Sequence, residues 1–177
     1  RVEPVETCSF RPASFDAVAR ELTLEAARSA GLEPTLLEEP QAALYAWLAL
    51  AGENWRSKLS VGDVLLVVDI GGGTTDVAVI SLSGIVTSRS IRCGGDKMDE
   101  AIINYVKRKY NMLIGERTAE QVKMTIATAS AEGPTQTMEI KGRDLVAGIP
   151  KVVVASSEEI AEALVEPIHQ IVETVHL

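Results

Sequence analysis

Residues 64–80 read VLLVVDIGGGTTDVAVI, and this stretch indicates the fold more strongly than any other part of the chain. An apolar run ends at Asp69, glycines occupy positions 71–73, and a second apolar run starts after Asp76. Apolar runs joined by such a turn predict a strand, a tight turn and a returning strand. The stretch is therefore either a plain β-hairpin or a hairpin whose turn binds a ligand.

The residues of the turn favour a phosphate ligand. Glycine lets the backbone approach a ligand closely, and the N–H groups of such a turn can hold phosphate oxygens. Thr74 and Thr75 add hydroxyl donors. Asp69 and Asp76 could hold Mg²⁺ through its waters, because this ion takes few carboxylates and keeps much of its hydration. The spacing matches neither the Walker A loop nor the GxGxxG loop.

The composition is that of a globular, acidic protein. The chain has 177 residues, of which 46% are hydrophobic, and a formal net charge of −8. This charge argues against nucleic acid and anionic membrane as main partners. Cys8 and Cys93, the two cysteines, make neither a disulfide framework nor a zinc site. Because we find no signal peptide and no apolar run of membrane-spanning length, we expect a cytoplasmic protein.

The rest of the chain alternates helical and strand patterns, which predicts an α/β layered fold. Ser14 is a candidate N-cap for a helix that ends at Gly31, and residues 41–51 are apolar enough to predict a buried helix. Beyond the hairpin we predict a third strand at 85–92, helices at 96–110 and 118–128, strands at 138–141 and 152–155, and a final helix opened by the capping box 156–159 and kinked at Pro167.

The motif DIGGGTTDVAVI at residues 69–80 resembles the second phosphate-binding loop of the actin-like ATPase superfamily, which includes actin, MreB and the DnaK-type heat-shock chaperones. Residues 73–177 resemble the MreB family of bacterial cell-shape actins, on the segments 79–82, 94–106 and 113–120. Residues 12–68 resemble the nucleotide-binding domain of a DnaK-type chaperone, on PASFD at 12–16 and LLEEPQAALY at 36–45. We therefore expect a truncated or chimeric member of the superfamily.

The resemblance implies a ribonuclease-H-like actin/chaperone ATPase core, mainly its second half, with a small inserted lobe at about residues 112–155. It divides the chain into a connecting helix–strand–helix segment of the first half at 1–62 and a second-half core at 63–177. ATP and Mg²⁺ are the cofactors that the resemblance implies.

The resemblance also assigns catalytic roles to Glu39, Asp69 and Thr74. Glu39 precedes Pro40 at a strand end, where a carboxylate could orient a hydrolytic water as a general base; the alternative is a solvated glutamate. Asp69 would coordinate Mg²⁺ through water, or else be an exposed turn aspartate. Asp76 matches the chaperone motif and is either a ligand of the nucleotide site or a structural partner of the turn amides.

The remaining site residues are expected to bind nucleotide. They are Gly71, Gly72, Gly73, Thr74, Thr75 and Asp76 in the first loop, Gly94 and Gly95 in a second loop, and Glu120 and Lys123 on a later helix. The second loop is alternatively a plain turn with an N-capping Asp96, although amides at a helix N-terminus suit a nucleotide. Glu120 and Lys123 are alternatively a surface ion pair; in both families the pair faces ribose and adenine.

Three functions are compatible with these patterns. The first is an MreB-type ATP-binding cytoskeletal module for cell-shape maintenance, which self-associates into filaments or oligomers and meets cell-shape proteins at the membrane. The second is a fragment of a chaperone ATPase domain, and the third is an inactive folded half-domain. The first phosphate loop and the late adenosine loop that the superfamily resemblance implies do not occur in the 177 residues. We therefore expect weak nucleotide binding at best, negligible hydrolysis and an exposed apolar patch that favours association.

Overall fold

The computed structural model describes residues 8–11, 17–81, 84–130 and 133–176. Ser14, the predicted start of the first helix, lies outside these residues. The elements in chain order are β1 (Cys8–Arg11), α1 (Ala17–Ser29), β2 (Thr35–Glu38), α2 (Glu39–Ala51), a 3-10 helix (Gly52–Ser57), β3 (Val64–Ile70), β4 (Thr75–Ser81), β5 (Gly84–Ile91), α3 (Gly95–Tyr110), β6 (Met112–Leu113), α4 (Glu116–Ile126), β7 (Thr137–Asp144), β8 (Pro150–Ser156) and α5 (Ser157–Val175).

The chain divides into two compact units. Unit 1 consists of Arg1–Ile70 and Thr75–Ile91, and unit 2 of Gly71–Thr74 and Arg92–Leu177. Unit 1 contains strands β1 to β5 with α1 and α2, whereas unit 2 contains α3, α4 and α5 with strands β6 to β8. The mixed α/β character predicted from the sequence is confirmed.

Unit 1 is built on an antiparallel sheet in the order β3-β4-β5. The central strand β4 is the most buried, with Thr75, Val77 and Ala78 fully covered. Helix α2 packs against β3 and β4, and β1 pairs with β2 in parallel. The register places Asp69 opposite Asp76, so the two carboxylates of the glycine-turn motif face each other across the hairpin. The predicted three-strand meander is confirmed.

Helix α2 is less buried than its composition predicts. Pro40 is its one buried residue, while Tyr45 and Leu50 are 53% and 88% exposed. The prediction of a buried helix over residues 41–51 is wrong. The composition of a helix shows how much apolar surface is available for burial. It does not show how much of that surface the neighbouring elements cover.

Unit 2 has an apolar core between α3, α4, α5 and the antiparallel sheet β6-β7-β8. Its largest fully buried side chains include Ile102, Met112, Ile140 and Ile160. Helix α5 begins with the predicted capping box, in which Ser156 and Glu159 each accept a hydrogen bond from the other's backbone N–H. The helix continues through Pro167 to Val175. No described helix is long and apolar enough to cross a membrane.

Candidate functional site

The glycine-rich loop at Gly71–Thr74 is held in place by the first turn of α3. The N–H of Gly95 donates to the carbonyl of Gly71 at 2.9 Å, and the N–H of Asp96 donates to the carbonyl of Gly72 at 2.8 Å. A third hydrogen bond, from the N–H of Gly71 to the carbonyl of Thr74 at 2.9 Å, closes the loop on itself. The first amides of α3 therefore support the loop instead of facing a ligand.

The second loop needs glycine at position 94, because the backbone there lies against the first loop. A Cβ atom at Gly94 would lie 2.4 Å from the carbonyl oxygen of Gly71 and 2.7 Å from that of Gly72. Gly94 is also the N-cap of α3, and no side chain caps this helix. The alternative with Asp96 as the N-capping residue is wrong, because Asp96 already lies inside the helix. The sequence pattern Gly94-Gly95 thus reflects a close backbone contact.

The outer surface of the loop carries unused donors. Gly71, Gly72 and Gly73 are exposed, and Thr74 is half-buried. Within the part of the chain that the structure describes, the backbone N–H groups of Gly72, Gly73 and Thr74 donate to no protein acceptor. Successive free N–H groups in a turn form a partial positive charge that can hold an anion. The loop therefore has free donors of the kind that an anion requires.

Lys123 reaches from α4 to the second loop. Its ammonium donates to the Asp99 carboxylate at 2.8 Å and to the carbonyl of Gly95 at 3.0 Å. The side chains of Lys123 and Asp99 are only 18% and 14% exposed. The alternative in which Lys123 forms a surface ion pair with Glu120 is wrong, since the partner is Asp99 and the pair is largely covered.

Glu120 lines an open pocket between α3 and α4. The pocket has a volume of about 800 Å³ and is lined by Asp96, Asp99, Glu100, Ile103, Glu116, Arg117 and Glu120. Carboxylates accept hydrogen bonds from hydroxyl and amino groups, and they repel phosphates through their like charge. The pocket is therefore suited to a neutral polar part of a ligand, such as a sugar or a base.

Three acidic residues of unit 1 interact electrostatically. Burial raises the pKa of Glu39, and the nearby carboxylates of Asp76 and Asp69 raise it further. Asp76 is 2% exposed, and Pro40, which follows Glu39, is also buried. A raised pKa improves a carboxylate as a general base near neutral pH. Among the described residues, no three His, Cys, Asp or Glu side chains are grouped as direct ligands of one metal ion.

The predicted site residues thus fall into two groups, one in each unit. Unit 2 brings together Gly71–Thr74, Gly94, Gly95 and Lys123, and it holds Glu120 in the neighbouring pocket. Unit 1 brings together the carboxylates of Glu39, Asp69 and Asp76, which interact electrostatically. It also contains Thr75, whose exposure is 0%.

Sequence reasoning missed Asp99. It lies four residues after Gly95 on α3, a spacing that places two residues on the same side of a helix. This spacing could have identified Asp99 as a neighbour of the second loop. Its pairing with Lys123 depends on the packing of α3 against α4, which no local pattern shows.

Comparison with known proteins gives one consistent family. The family described as MreB/Mbl protein matches residues 7–177. The cell shape-determining protein MreB of Escherichia coli (strain K12) is 47% identical over 165 residues, which are 93% of this chain and 45% of that protein. Mbl of Bacillus cereus (strain ATCC 10987 / NRS 248), also called cell shape-determining, is 45% identical over 156 residues, which are 88% of this chain and 44% of that protein.

Solved structures agree with these relatives. MreB5 of Spiroplasma citri bound to AMPPNP superposes with a TM-score of 0.83 at 35% identity, covering 96% of this chain and 49% of that one. The same protein bound to ADP gives a TM-score of 0.82 at 37% identity, with coverages of 95% and 49%. The chain spans about half the length of the relatives it matches. One family match runs through residues 12–68, and no comparison shows a chaperone-like segment or a chimera.

Proposed function

The chain belongs to the MreB/Mbl family, and from this premise we propose that it is an ATP-binding module of an actin-like protein that maintains cell shape. The observation that carries the proposal is the loop Gly71–Thr74, in which α3 holds the carbonyls of Gly71 and Gly72 while the N–H groups of Gly72, Gly73 and Thr74 are unused among the described residues. An anion cradle of this kind supplies local positive charge in a chain whose net charge is −8.

The parts of a nucleotide can be assigned to different residues. The N–H groups of Gly72, Gly73 and Thr74, with the hydroxyl of Thr74, would hold phosphate oxygens. The predicted hydroxyl contact of Thr75 is disfavoured, because Thr75 is fully buried. The acidic pocket around Glu120 would accept hydrogen bonds from ribose hydroxyls and from amino groups of the base. Structures of the related MreB5 contain AMPPNP and ADP, which supports a nucleotide as the ligand.

The carboxylates of unit 1 have roles in phosphoryl chemistry. Asp69 would hold Mg²⁺ through water, and Asp76, which lies opposite it on β4, would be a second carboxylate for the same hydrated ion. Bound Mg²⁺ supplies charge neutralisation on the phosphate oxygens. Glu39 would orient the attacking water and accept its proton, a role that its raised pKa favours.

Hydrolysis by these residues alone would be slow. Phosphoryl transfer depends on positioned donors and charges on all sides of the transferred group. We therefore propose that ATP hydrolysis at this site needs positioned donors and charges beyond the loop at Gly71–Thr74 and the carboxylates of unit 1.

The remaining features of the proposal concern the whole protein. They are a ribonuclease-H-like core over residues 63–177 with an inserted lobe at about 112–155, cytoplasmic localisation, self-association into filaments, and contact with cell-shape proteins at the membrane. The cell-shape function named for the MreB and Mbl relatives supports the last two. A chaperone fragment is disfavoured because the single family match includes residues 12–68.

Isothermal titration calorimetry with MgATP and with adenosine tests the proposal. We expect Asp69→Asn to weaken MgATP binding by roughly tenfold, the effect typical of losing a group that orients a metal's ligands. Adenosine binding should be unchanged. Glu120→Gln is the matched variant for the pocket and should weaken the binding of both ligands. A wild-type chain that unfolds cooperatively but binds neither ligand would be an inactive half-domain, contrary to the proposal.

A further inference from the structure

We propose that Asp99 is a positioning residue of the nucleotide site, which holds the Lys123 ammonium against the Gly95 carbonyl and thereby fixes the phosphate loop. This inference rests on the proposed nucleotide binding and adds to it a residue of α3 that lies outside the loop. It concerns how the loop is kept in a binding conformation.

The ion pair is well placed to immobilise a lysine. Lysine has a long flexible side chain, and an ammonium can donate three hydrogen bonds. Two of these go to Asp99 at 2.8 Å and to the Gly95 carbonyl at 3.0 Å. Both side chains are largely covered, so water competes little for the pair. Without Asp99, one contact with a neutral carbonyl would be left to hold Lys123 in place.

The connection from Lys123 to the phosphate loop passes through Gly95. The carbonyl of Gly95 accepts from Lys123, and its N–H donates to the carbonyl of Gly71. A Cβ atom at Gly95 would lie 3.2 Å from the Lys123 ammonium, so the ammonium lies close against this residue. Lys123 therefore restrains the residue whose own N–H holds one end of the loop.

One oxygen of the Asp99 carboxylate is not used by the ion pair. Its second carboxylate oxygen, Oδ1, is buried and has no hydrogen-bond partner among the described residues. A buried acceptor without a donor is unfavourable for folding, and such groups in native proteins call for an explanation. Asp99 also lines the pocket that holds Glu120. A role in orienting Lys123 beside a ligand site accounts for a carboxylate at this position.

The proposal makes an unusual prediction for charge removal. Asp99→Asn deletes a negative charge near a site for an anionic ligand, so electrostatics alone would make MgATP bind more tightly. Because positioning of Lys123 is lost, we expect the opposite, a dissociation constant about tenfold higher in Asp99→Asn and in Lys123→Met. The double variant should be no weaker than the worse single variant, because both changes break the same connection.

Hydrogen exchange of the ligand-free protein provides the second measurement. The amides of Gly95 and Asp96 should exchange at least about tenfold faster in Asp99→Asn and Lys123→Met, because their bonds to the loop open more often. Glu100→Gln is the matched control. Glu100 lines the same pocket from α3 but is exposed, and the ion pair that it forms within the described part of the chain is with exposed Lys97, so this substitution should leave the two amides unchanged.

Tighter MgATP binding by Asp99→Asn, or unchanged exchange at Gly95 and Asp96 in cooperatively folded variants, would overturn the proposal. If the wild-type chain bound no MgATP, the proposed function would fail, and the exchange rates would still decide whether Asp99 fixes the loop. The two failures are therefore distinguishable.

Discussion

Gly94 is the residue at which the sequence allows least change. Its α-carbon lies so close to the phosphate loop that an added methyl group would overlap two backbone carbonyls, at 2.4 and 2.7 Å. Carbonyls held by the first turn of α3 cannot move away without breaking those hydrogen bonds. From the sequence alone, the two glycines before α3 could be a plain turn or a binding loop. The structure shows that glycine is required at position 94 because the backbone of the first loop lies against it.

We therefore expect Gly94→Ala to destabilise the chain by about 1–3 kcal/mol, the range for inserting a methyl group into a packed site. Gly73→Ala is the control, because a Cβ there would lie 3.9 Å from the Asp96 carboxylate, an ordinary van der Waals contact. Urea unfolding of the two variants and the wild type makes the comparison. Equal stability of Gly94→Ala and Gly73→Ala would show that the two loops do not touch as described.

Asp144 gives a prediction in pH. The N–H of Ala147, the ammonium of Lys151 and the N–H of Val146 lower the pKa of Asp144 to about 2 from the model-compound value of 3.8. A carboxylate with a lowered pKa in the folded state contributes stability above its unfolded pKa, and that contribution is lost as the pH falls through the folded pKa. The stabilising effect of Asp144 is therefore present at pH 5 and declines between about pH 4 and pH 2.

The melting temperatures of the wild type and of Asp144→Asn, measured between pH 6 and pH 2, test this. The wild type should be more stable at pH 6, and the difference between the two should shrink towards pH 2 because protonation removes the same interactions as the substitution. A difference that stays constant over the whole range would contradict the assignment.

At the scale of elements, local patterns predicted the pieces whose cause is local. Apolar runs and a glycine turn predicted the β3-β4-β5 meander, and Ser156 with Glu159 predicted the start of α5. The burial of α2 was predicted wrongly because burial depends on neighbours. The Asp99–Lys123 pair was missed for the same reason, since it depends on how two separate helices pack against each other.

The capping box of α5 can be tested on its own. Ser156 Oγ accepts from the N–H of Glu159, and Glu159 Oε2 accepts from the N–H of Ser156 at 2.9 Å. Replacing an N-cap serine by alanine costs about 0.5–2 kcal/mol, so we expect Ser156→Ala to lose stability in this range. Thr125→Ala, on the exposed side of α4, serves as the reference substitution. Thermal unfolding that does not separate the two variants would speak against the box.

At the scale of the whole molecule, the family and the α/β fold were predictable because one motif of 12 residues is distinctive. The division into a chaperone-like and an MreB-like part was not supported, because short segments shared by related families cannot separate them. The catalytic and metal-binding roles of Glu39, Asp69 and Thr74 stay predictions. The structure adds two observations to these predictions, namely the hydrogen bonds from α3 that hold the loop at Gly71–Thr74 and the acidic pocket around Glu120.

Self-association is a property of the whole surface, and strand β3 offers the clearest test of it. It is an edge strand of its described sheet, and Val64, Leu66, Val68 and Ile70 form an exposed apolar row on it. Exposed apolar edges favour association, and charge on an edge opposes it. Leu66→Lys should therefore lower the sedimentation coefficient at high protein concentration.

The control for this effect is Val165→Lys on α5, since Val165 is 62% exposed and Leu66 is 53% exposed. The control should sediment like the wild type. If both lysine variants dissociated equally, added charge and not the β3 edge would explain the result.

The proposed nucleotide site depends above all on phosphate binding by the unused N–H groups of the loop. A titration of the ¹⁵N-labelled chain with MgATP, followed by amide chemical shifts, tests this claim. We predict that the amides of Gly72, Gly73 and Thr74 shift most, with smaller shifts along the pocket at Glu116 and Glu120. Saturable MgATP binding that leaves the three loop amides unmoved would contradict the account, because the nucleotide would then be bound elsewhere.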